Sequence, residues 1–360
     1  MKFGRTLQEF AEEINRQQQT KKDYIASTEA IDFVTGDDGL KMELRNGDVG
    51  RFAIRQNTHR QLGSYLKIPA NYYDRLQQEA AELLTRNVNH WLHEKPVRRM
   101  VRILDGSARA FLSDSYRRID HYDILNGDRI NSVLPVLANN VPDLKIESCE
   151  VTEDRMYVKA LFPRIQREVK VGDPVQAGVV ISNSEIGKGS VRVEPLIYRL
   201  VCTNGMIAPA FGQRRYHIGR QADGEGAAWE MFRDDTKAVD DRAFMMKVRD
   251  TILNCLDETR FDRIVQSLTE ATERKIAGNP EKSVDVLSNR FNFSEEEKGG
   301  ILRHLIEGGD LSAWGVASAV TRTGEDLKSY DRATEFETLG WNVIELQPDE
   351  WREVAEAGIR

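Results

Sequence analysis

Cysteine is scarce in this chain. Cys149, Cys202 and Cys255 are the three in 360 residues, and each stands alone. An odd, scattered set argues against a disulfide framework and fits a reducing compartment. Long apolar runs are also missing. Val179-Val180-Ile181 and Leu200-Val201-Cys202 are among the longest and are far too short to cross a bilayer, so no membrane partner is expected. The opening Met1-Lys2-Phe3-Gly4-Arg5 has no apolar signal core, which points to a cytoplasmic protein. There is no repeat period and no low-complexity tract. Neither a Gly-x-Ser-x-Gly elbow nor a His-Glu-x-x-His pair occurs, and Cys202, in an apolar strand, reads as a small core residue. A binding protein is therefore expected ahead of an enzyme, and no cofactor is expected.

What is present describes a globular protein. Hydrophobic residues make up 40% and charged residues 30%, a balance that can bury a core, and the length allows one large or two medium domains. The net charge of −7 hides a segregation. Residues 1–158 carry 23 basic and 24 acidic side chains, 159–220 carry 10 and 4, and 221–360 carry 18 and 30. A basic middle in an acidic chain can attract a polyanion locally while the rest keeps the protein dissolved. The bland alternative is a well-solvated acidic tail.

Periodicity sketches an α+β fold: an antiparallel sheet core with packed helices, followed by a mainly helical C-terminal region. Residues 5–19 read as a helix with Leu7, Phe10, Ala11 and Ile14 on one face. Short strands follow around Gly36-Asp37-Asp38-Gly39 and Asn46-Gly47. Two helices come next, the first capped by Thr58 and the second begun at Pro69, and then a third over Gln77 to Trp91. Pro96 opens a strand-rich stretch. Val97 to Leu104 and Ser107 to Leu112 form a hairpin about Asp105-Gly106, and a helix runs from Ile119 to Leu137. Four strands are expected at Leu144 to Val151, Arg155 to Phe162, Val175 to Ser182 and Val191 to Cys202. Pro195 implies a bulge or an edge in the last. Asn204-Gly205 should turn the chain. Beyond a linker at Gln221 to Gly226, Phe261, Ile264, Val265, Leu268 and Ala271 form a helical stripe. Ser294 with Glu297 makes a capping box, and Gly308-Gly309 ends that helix. Helices near 312–323 and 325–339 follow. The expected regions are 1–95, helices and short strands; 96–220, the strand-rich core; and 227–360, the acidic helices.

Several motifs invite chemistry and fail. Gly187-Lys188-Gly189-Ser190 lacks the Walker order and lies between strands, so it reads as a hairpin turn. His90 and His93 have no cysteine or carboxylate at ligand spacing. Asp114, Asp120, His121 and Asp123 could hold a divalent ion, but Asp120 also suits a helix N-cap, and capping is the preferred reading. The remaining constellation is basic and aromatic. It comprises Arg98, Arg99, Arg102, Tyr116, Arg117, Arg118, Lys188, Arg192, Tyr198, Arg199, Arg214 and Arg215. Arginine pairs phosphates and tyrosine stacks on bases, so this set is the candidate nucleic-acid surface. The alternative is that these arginines are partners for the acidic helices.

Three stretches carry a family resemblance. They are Ala108-Arg109-Ala110-Phe111-Leu112-Ser113-Asp114-Ser115-Tyr116-Arg117-Arg118-Ile119-Asp120, Val180-Ile181-Ser182-Asn183-Ser184-Glu185 with Gly189 to Pro195, and Tyr198-Arg199-Leu200-Val201-Cys202-Thr203-Asn204-Gly205-Met206. Together with Trp314-Gly315 through Thr321, they resemble the phage/plasmid-like proteins built on domain of unknown function 932, over about residues 50–340. The resemblance implies mobile-element biology and no catalytic residues. Three functions are thus expected in competition, the least favoured being a metal-dependent enzyme using Asp114, Asp120, His121 and Asp123. The first is a single-stranded DNA binding or annealing accessory acting as a homo-oligomer. The second is a protein-interaction or anti-defence factor whose acidic helices engage a host protein.

Overall fold

Thr6 begins the first helix with a capping box: its hydroxyl accepts from Glu9 N–H while the Glu9 carboxylate accepts from Thr6 N–H. This computed structural model describes all residues except 37–38, 46–49, 115, 117–119, 129, 210–212, 216–232 and 360; of residues 213–215, 234 and 237 the backbone alone is described. Helix α1 spans Leu7–Thr20 and buries Phe10 and Ile14. Strands β1 Lys22–Ser27, β2 Ile31–Gly36, β3 Gly39–Leu44 and β4 Gly50–Ile54 follow. Helices α2 Gln56–Tyr65, α3 Ala70–Glu79 and α4 Ala81–Glu94 lead to β5 Arg98–Leu104 and β6 Ser107–Ser113.

These six strands form one sheet in the order β1-β5-β6-β4-β3-β2. All its pairs are antiparallel except β4 with β6, which is parallel, as a connection through three helices allows. Leu62, Tyr73, Leu76, Leu84, Val88 and Leu92 of those helices pack on Phe33, Val101, Ile103 and Phe111 of the strands. The division expected at 95/96 therefore runs through a single sheet. Pro96 marks the end of a helix, and β5 returns to pair with β1.

The second sheet holds β7 Lys145–Val151, β8 Met156–Lys170, β9 Asp173–Asn183, β10 Val191–Arg199 and β11 Asn204–Ile207. Its order is β11-β10-β9-β8-β7, fully antiparallel, with β12 Gln213–Arg215 also paired to β10. Strand β8 runs past its expected end because Pro163 falls in a register break between Leu161 and Gln166. Helix α5 Val133–Asn140 and the later helices cover this sheet: α6 Asp234–Cys255, α7 Glu258–Glu273, α8 Pro280–Phe291, α9 Glu295–Gly308, α10 Ala313–Asp326, α11 Tyr330–Ile344 and α12 Pro348–Ala355. One continuous apolar core joins Phe10 and Ile14 of α1, Val158 and Val179 of the sheet, and Leu268, Trp314 and Phe336 of the helices. The α7 stripe is buried as expected, the Ser294–Glu297 box is present, and Gly309 ends α9 with φ 64°.

Four local expectations differ. The helix expected from 119 to 137 is in pieces, a π-turn at Asp123–Gly127 and then α5. Asn126-Gly127 stops the first piece, and the Asp128 carboxylate turns the chain by accepting from Ile130 N–H at 2.8 Å. Thr58 lies inside α2 instead of capping it; Arg55 is the cap residue, and the Thr58 hydroxyl donates to Ala108 O at 2.7 Å. Pro195 sits in a central strand. Its partners on one side are Val179 and β9, while on the other it falls between the stretches paired to β11 and β12, where no ladder N–H is needed. Asn204-Gly205 does not turn. These residues pair with Arg199 and Tyr198 inside β11, and Thr203 takes the positive φ of 54° one residue earlier. The Asn204 side chain donates to the Thr321 hydroxyl. A Cβ on Gly205 would stand 3.1 Å from Leu196 and 3.2 Å from Met1, so packing rather than turning favours glycine there. Among the described residues, no helix is long and apolar enough to cross a membrane.

Candidate functional site

The basic–aromatic set does not form one surface. Arg102 on β5 is fully buried and grips Asp23 of β1 with two bonds of 2.8 and 2.7 Å. Tyr116 is buried, and its hydroxyl donates to Ser184 O at 3.2 Å. Tyr198 is buried with its hydroxyl on Glu147 at 3.1 Å. Arg199 holds Asp173 at 2.6 and 2.7 Å and lies 5.2 Å from the Trp314 ring. Arg102, Tyr116 and Tyr198 belong to the interior and Arg199 is half-buried and committed to Asp173, which corrects their expected place on a binding face. Period-2 alternation marks the two sides of a strand, but it does not say that both sides are covered.

The others divide further. Arg99 is half-buried with its guanidinium 4.2 Å from the Tyr65 ring centroid. Arg98 is 70% exposed and 3.7 Å from Asp114. Lys188 is partly exposed and bonds Asp154 at 2.7 Å. Arg192 is half-buried on β10, where the register pairs it with Ser182 of β9 and with Arg214 of β12; Val191 pairs with Arg215. The side chains of Arg214 and Arg215 are not described, and Arg117 and Arg118 lie outside the described residues. The basic middle also meets the acidic helices directly. Lys159 bonds Glu337 at 2.7 Å, Arg167 bonds Glu258 at 2.8 Å and Asp262 at 2.7 Å, and Lys170 bonds Asp310 at 2.6 Å.

The densest group of charges was not foreseen. It centres on Glu185, in the loop 184–190 that joins β9 to β10 and is buried except at Lys188. Glu185 Oε1 accepts the His121 N–H at 2.7 Å and lies 3.5 Å from Lys21 Nζ. Glu185 Oε2 stands 3.7 Å from Arg109 and 3.9 Å from Arg102. Lys21 also bonds Asp120 at 2.7 Å, and the Asn183 amide meets His121 Nδ1 at 3.0 Å. The loop's carbonyls are held from the other side. Arg102 donates to Glu185 O at 2.8 Å, and Gln61 and Asn57 donate to Ile186 O at 2.7 and 3.3 Å. The loop of the second sheet is thus seated on β5, β6 and α2 of the first.

Burial raises the Glu185 carboxyl, but the surrounding Lys21, Arg102 and Arg109, together with His121 when it is protonated, outweigh it and hold the group well below the ordinary carboxylate range. Burial lowers His121 to about 4, so the imidazole is neutral near pH 7 and Lys21, Arg102 and Arg109 supply the field. Asp123 is raised to about 6 by burial and by Asp120. Asp120 and Asp123 cap each other's turn: Asp123 N–H donates to Asp120 Oδ1 at 2.8 Å and Asp120 N–H to Asp123 Oδ2 at 3.3 Å. Among the described residues, no group of three or more His, Cys, Asp or Glu side chains is arranged to hold a metal ion. His93 bonds Ile31 O at 3.1 Å, and His90 packs on Trp91. Glu185 and His121 are 2% and 1% exposed, so neither presents a face to a ligand, and the cluster acts as a tie between the sheets.

Glu185 was visible in the sequence as part of a motif, and nothing in the spacing tied it to Lys21, Arg102 or Arg109. Those partners lie far away in the chain and meet through the tertiary fold. Comparison with curated proteins and with solved structures finds no match. Comparison with protein families matches residues 113–339 to Domain of unknown function (DUF932). That span takes in the Tyr116 anchor, the Glu185 loop, α10 and the first ten residues of α11, and this chain belongs to the DUF932 family.

Proposed function

We propose that this protein binds the backbone of single-stranded nucleic acid in the cytoplasm, as a homo-oligomeric accessory to phage or plasmid DNA handling. The observation that supports the reading is the β10–β12 ladder, which sets Arg192 directly beside Arg214 and places Arg215 one step along. Arginines gathered at adjacent ladder positions concentrate positive charge, and a phosphate chain offers anions at regular intervals that arginine binds well. Arg98 and Lys188 are further exposed cations outside that ladder. Arg102 and Arg199 are already committed to Asp23 and Asp173, and Tyr116 and Tyr198 are buried, so none of the four belongs to the proposed surface.

The test is a titration of fluorescently labelled single strands at low and at physiological ionic strength. Wild-type affinity falls as salt rises. R192A/R214A weakens binding to all sequences alike and flattens the salt slope by roughly 0.7 for each phosphate that is no longer neutralised. Absence of binding at low salt ends the proposal. Capture of a host protein by a chain that ignores oligonucleotides would transfer the function to the acidic helices.

A further inference from the structure

Helix α6, Asp234–Cys255, is apolar on two opposite sides. Phe244, Met245, Val248 and Ile252 are buried against the core. On the far side Val239 is 70%, Met246 41% and Leu253 37% exposed. Seven residues on a helix fall about 20° short of two full turns, so these three form one straight stripe. Among the described residues, the stripe is left exposed.

We infer that this stripe is a two-fold interface, on which α6 of a second copy of the chain lies antiparallel with Met246 against Met246 of its partner. The spacing is self-complementary. Val239 and Leu253 stand seven residues either side of Met246, so each meets the other across the axis. Arg242 and Asp250 stand four residues either side, on the same face, and both are exposed. The antiparallel pair therefore brings each Arg242 to the partner copy's Asp250, twice. A parallel pair would face arginine with arginine and aspartate with aspartate, which costs free energy. An isologous contact requires this symmetry, whereas an unrelated helix would not. The stripe is short, so the association is weak and depends on concentration. The inference does not rest on nucleic-acid binding.

Light scattering after gel filtration, over a range of protein concentrations, should show the mass rising from monomer toward dimer. R242D and D250R each place like charges across the axis twice and should weaken the dimer by about five- to tenfold. The double variant R242D/D250R restores opposite charges and should recover it. M246C should cross-link to a dimer under mild oxidation, while the wild type, with its own three cysteines, should not. Circular dichroism checks that every variant is folded. A monomer at the highest attainable concentration overturns the inference. So does a dimer that R242D and D250R leave unchanged, which would place the interface elsewhere.

Discussion

Single buried groups, His59 beside Tyr73 and His121 and Asp123 near Glu185, titrate in opposite senses, and the signs can be separated. His59 and His121 are lowered by burial from 6.5 to about 4, so the folded state refuses a proton that the unfolded chain accepts. Their contribution to stability is lost as pH falls from 6.5 toward 4. Asp123 behaves the opposite way. Burial and Asp120 raise it to about 6 from 3.8, so its contribution is full below pH 3.8 and is lost as pH rises through 6. In the window between pH 4 and 6 the two effects oppose. Asp123→Asn keeps the shape and removes one of them, so the variant should gain more melting temperature from pH 4 to pH 6 than the wild type does. Parallel curves for the two proteins would show that the Asp123 proton is not held by the fold.

The elements show how the first sheet ends. Strand β2 is an edge strand, and its backbone is a template for another chain unless it is covered. Thr85, Asn89 and His93 lie one turn apart along α4 and cover it. Asn89 Oδ1 accepts Phe33 N–H at 2.7 Å and its Nδ2 donates to Phe33 O at 2.9 Å, as a neighbouring strand would. Thr85 meets Thr35 at 3.1 Å, and His93 meets Ile31 O at 3.1 Å. Asn89→Ala should strip both bonds from Phe33 and cost about 1–3 kcal/mol. Its signature is faster hydrogen exchange at the Phe33 amide with α4 still helical; unchanged exchange there would mean that the edge needs no such cover. Elements of this kind were largely foreseeable. The helices around α7, α9 and α10 announce themselves by stripe and cap, and the β5–β6 hairpin by Asp105-Gly106, whose φ values are 52° and 69°. What periodicity missed was pairing between distant strands. Residues 22–27 and 98–103 join in one ladder, and nothing local in either segment says so.

For the whole molecule, the loop 184–190 decides how the two sheets depend on each other. Glu185 answers the charges of Lys21, at the end of α1, and of Arg102 and Arg109, on β5 and β6 of the first sheet. Glu185→Gln removes the anion and leaves buried cations underpaired, at a cost of about 3–5 kcal/mol. Both sheets should then melt together at a lower temperature, in a single transition. Two transitions, with probes of the first sheet unaffected, would show that the loop does not tie them. The charge segregation read from composition was real, but much of its meaning was internal, since Lys159, Arg167 and Lys170 spend their charge on Glu337, Glu258, Asp262 and Asp310. Exposure is the property that sequence conveys least, and Arg102, Tyr116 and Tyr198 leave the candidate surface on that point.

The position of Glu185 in the chain also imposes an order in time. A growing polypeptide completes β1, β5 and β6 long before β9 and its following loop emerge. Arg102 already has Asp23 when its strand is made. Arg109 has only the Gln17 amide oxygen at 3.2 Å, while its other two partners, Glu153 O and the Glu185 carboxylate, are still to come. Until they arrive, β6 must keep a guanidinium in water that the finished protein encloses. The first sheet therefore acquires its full set of charge partners only with the second, and severing the chain between them would leave Arg109 without Glu153 O and the Glu185 carboxylate.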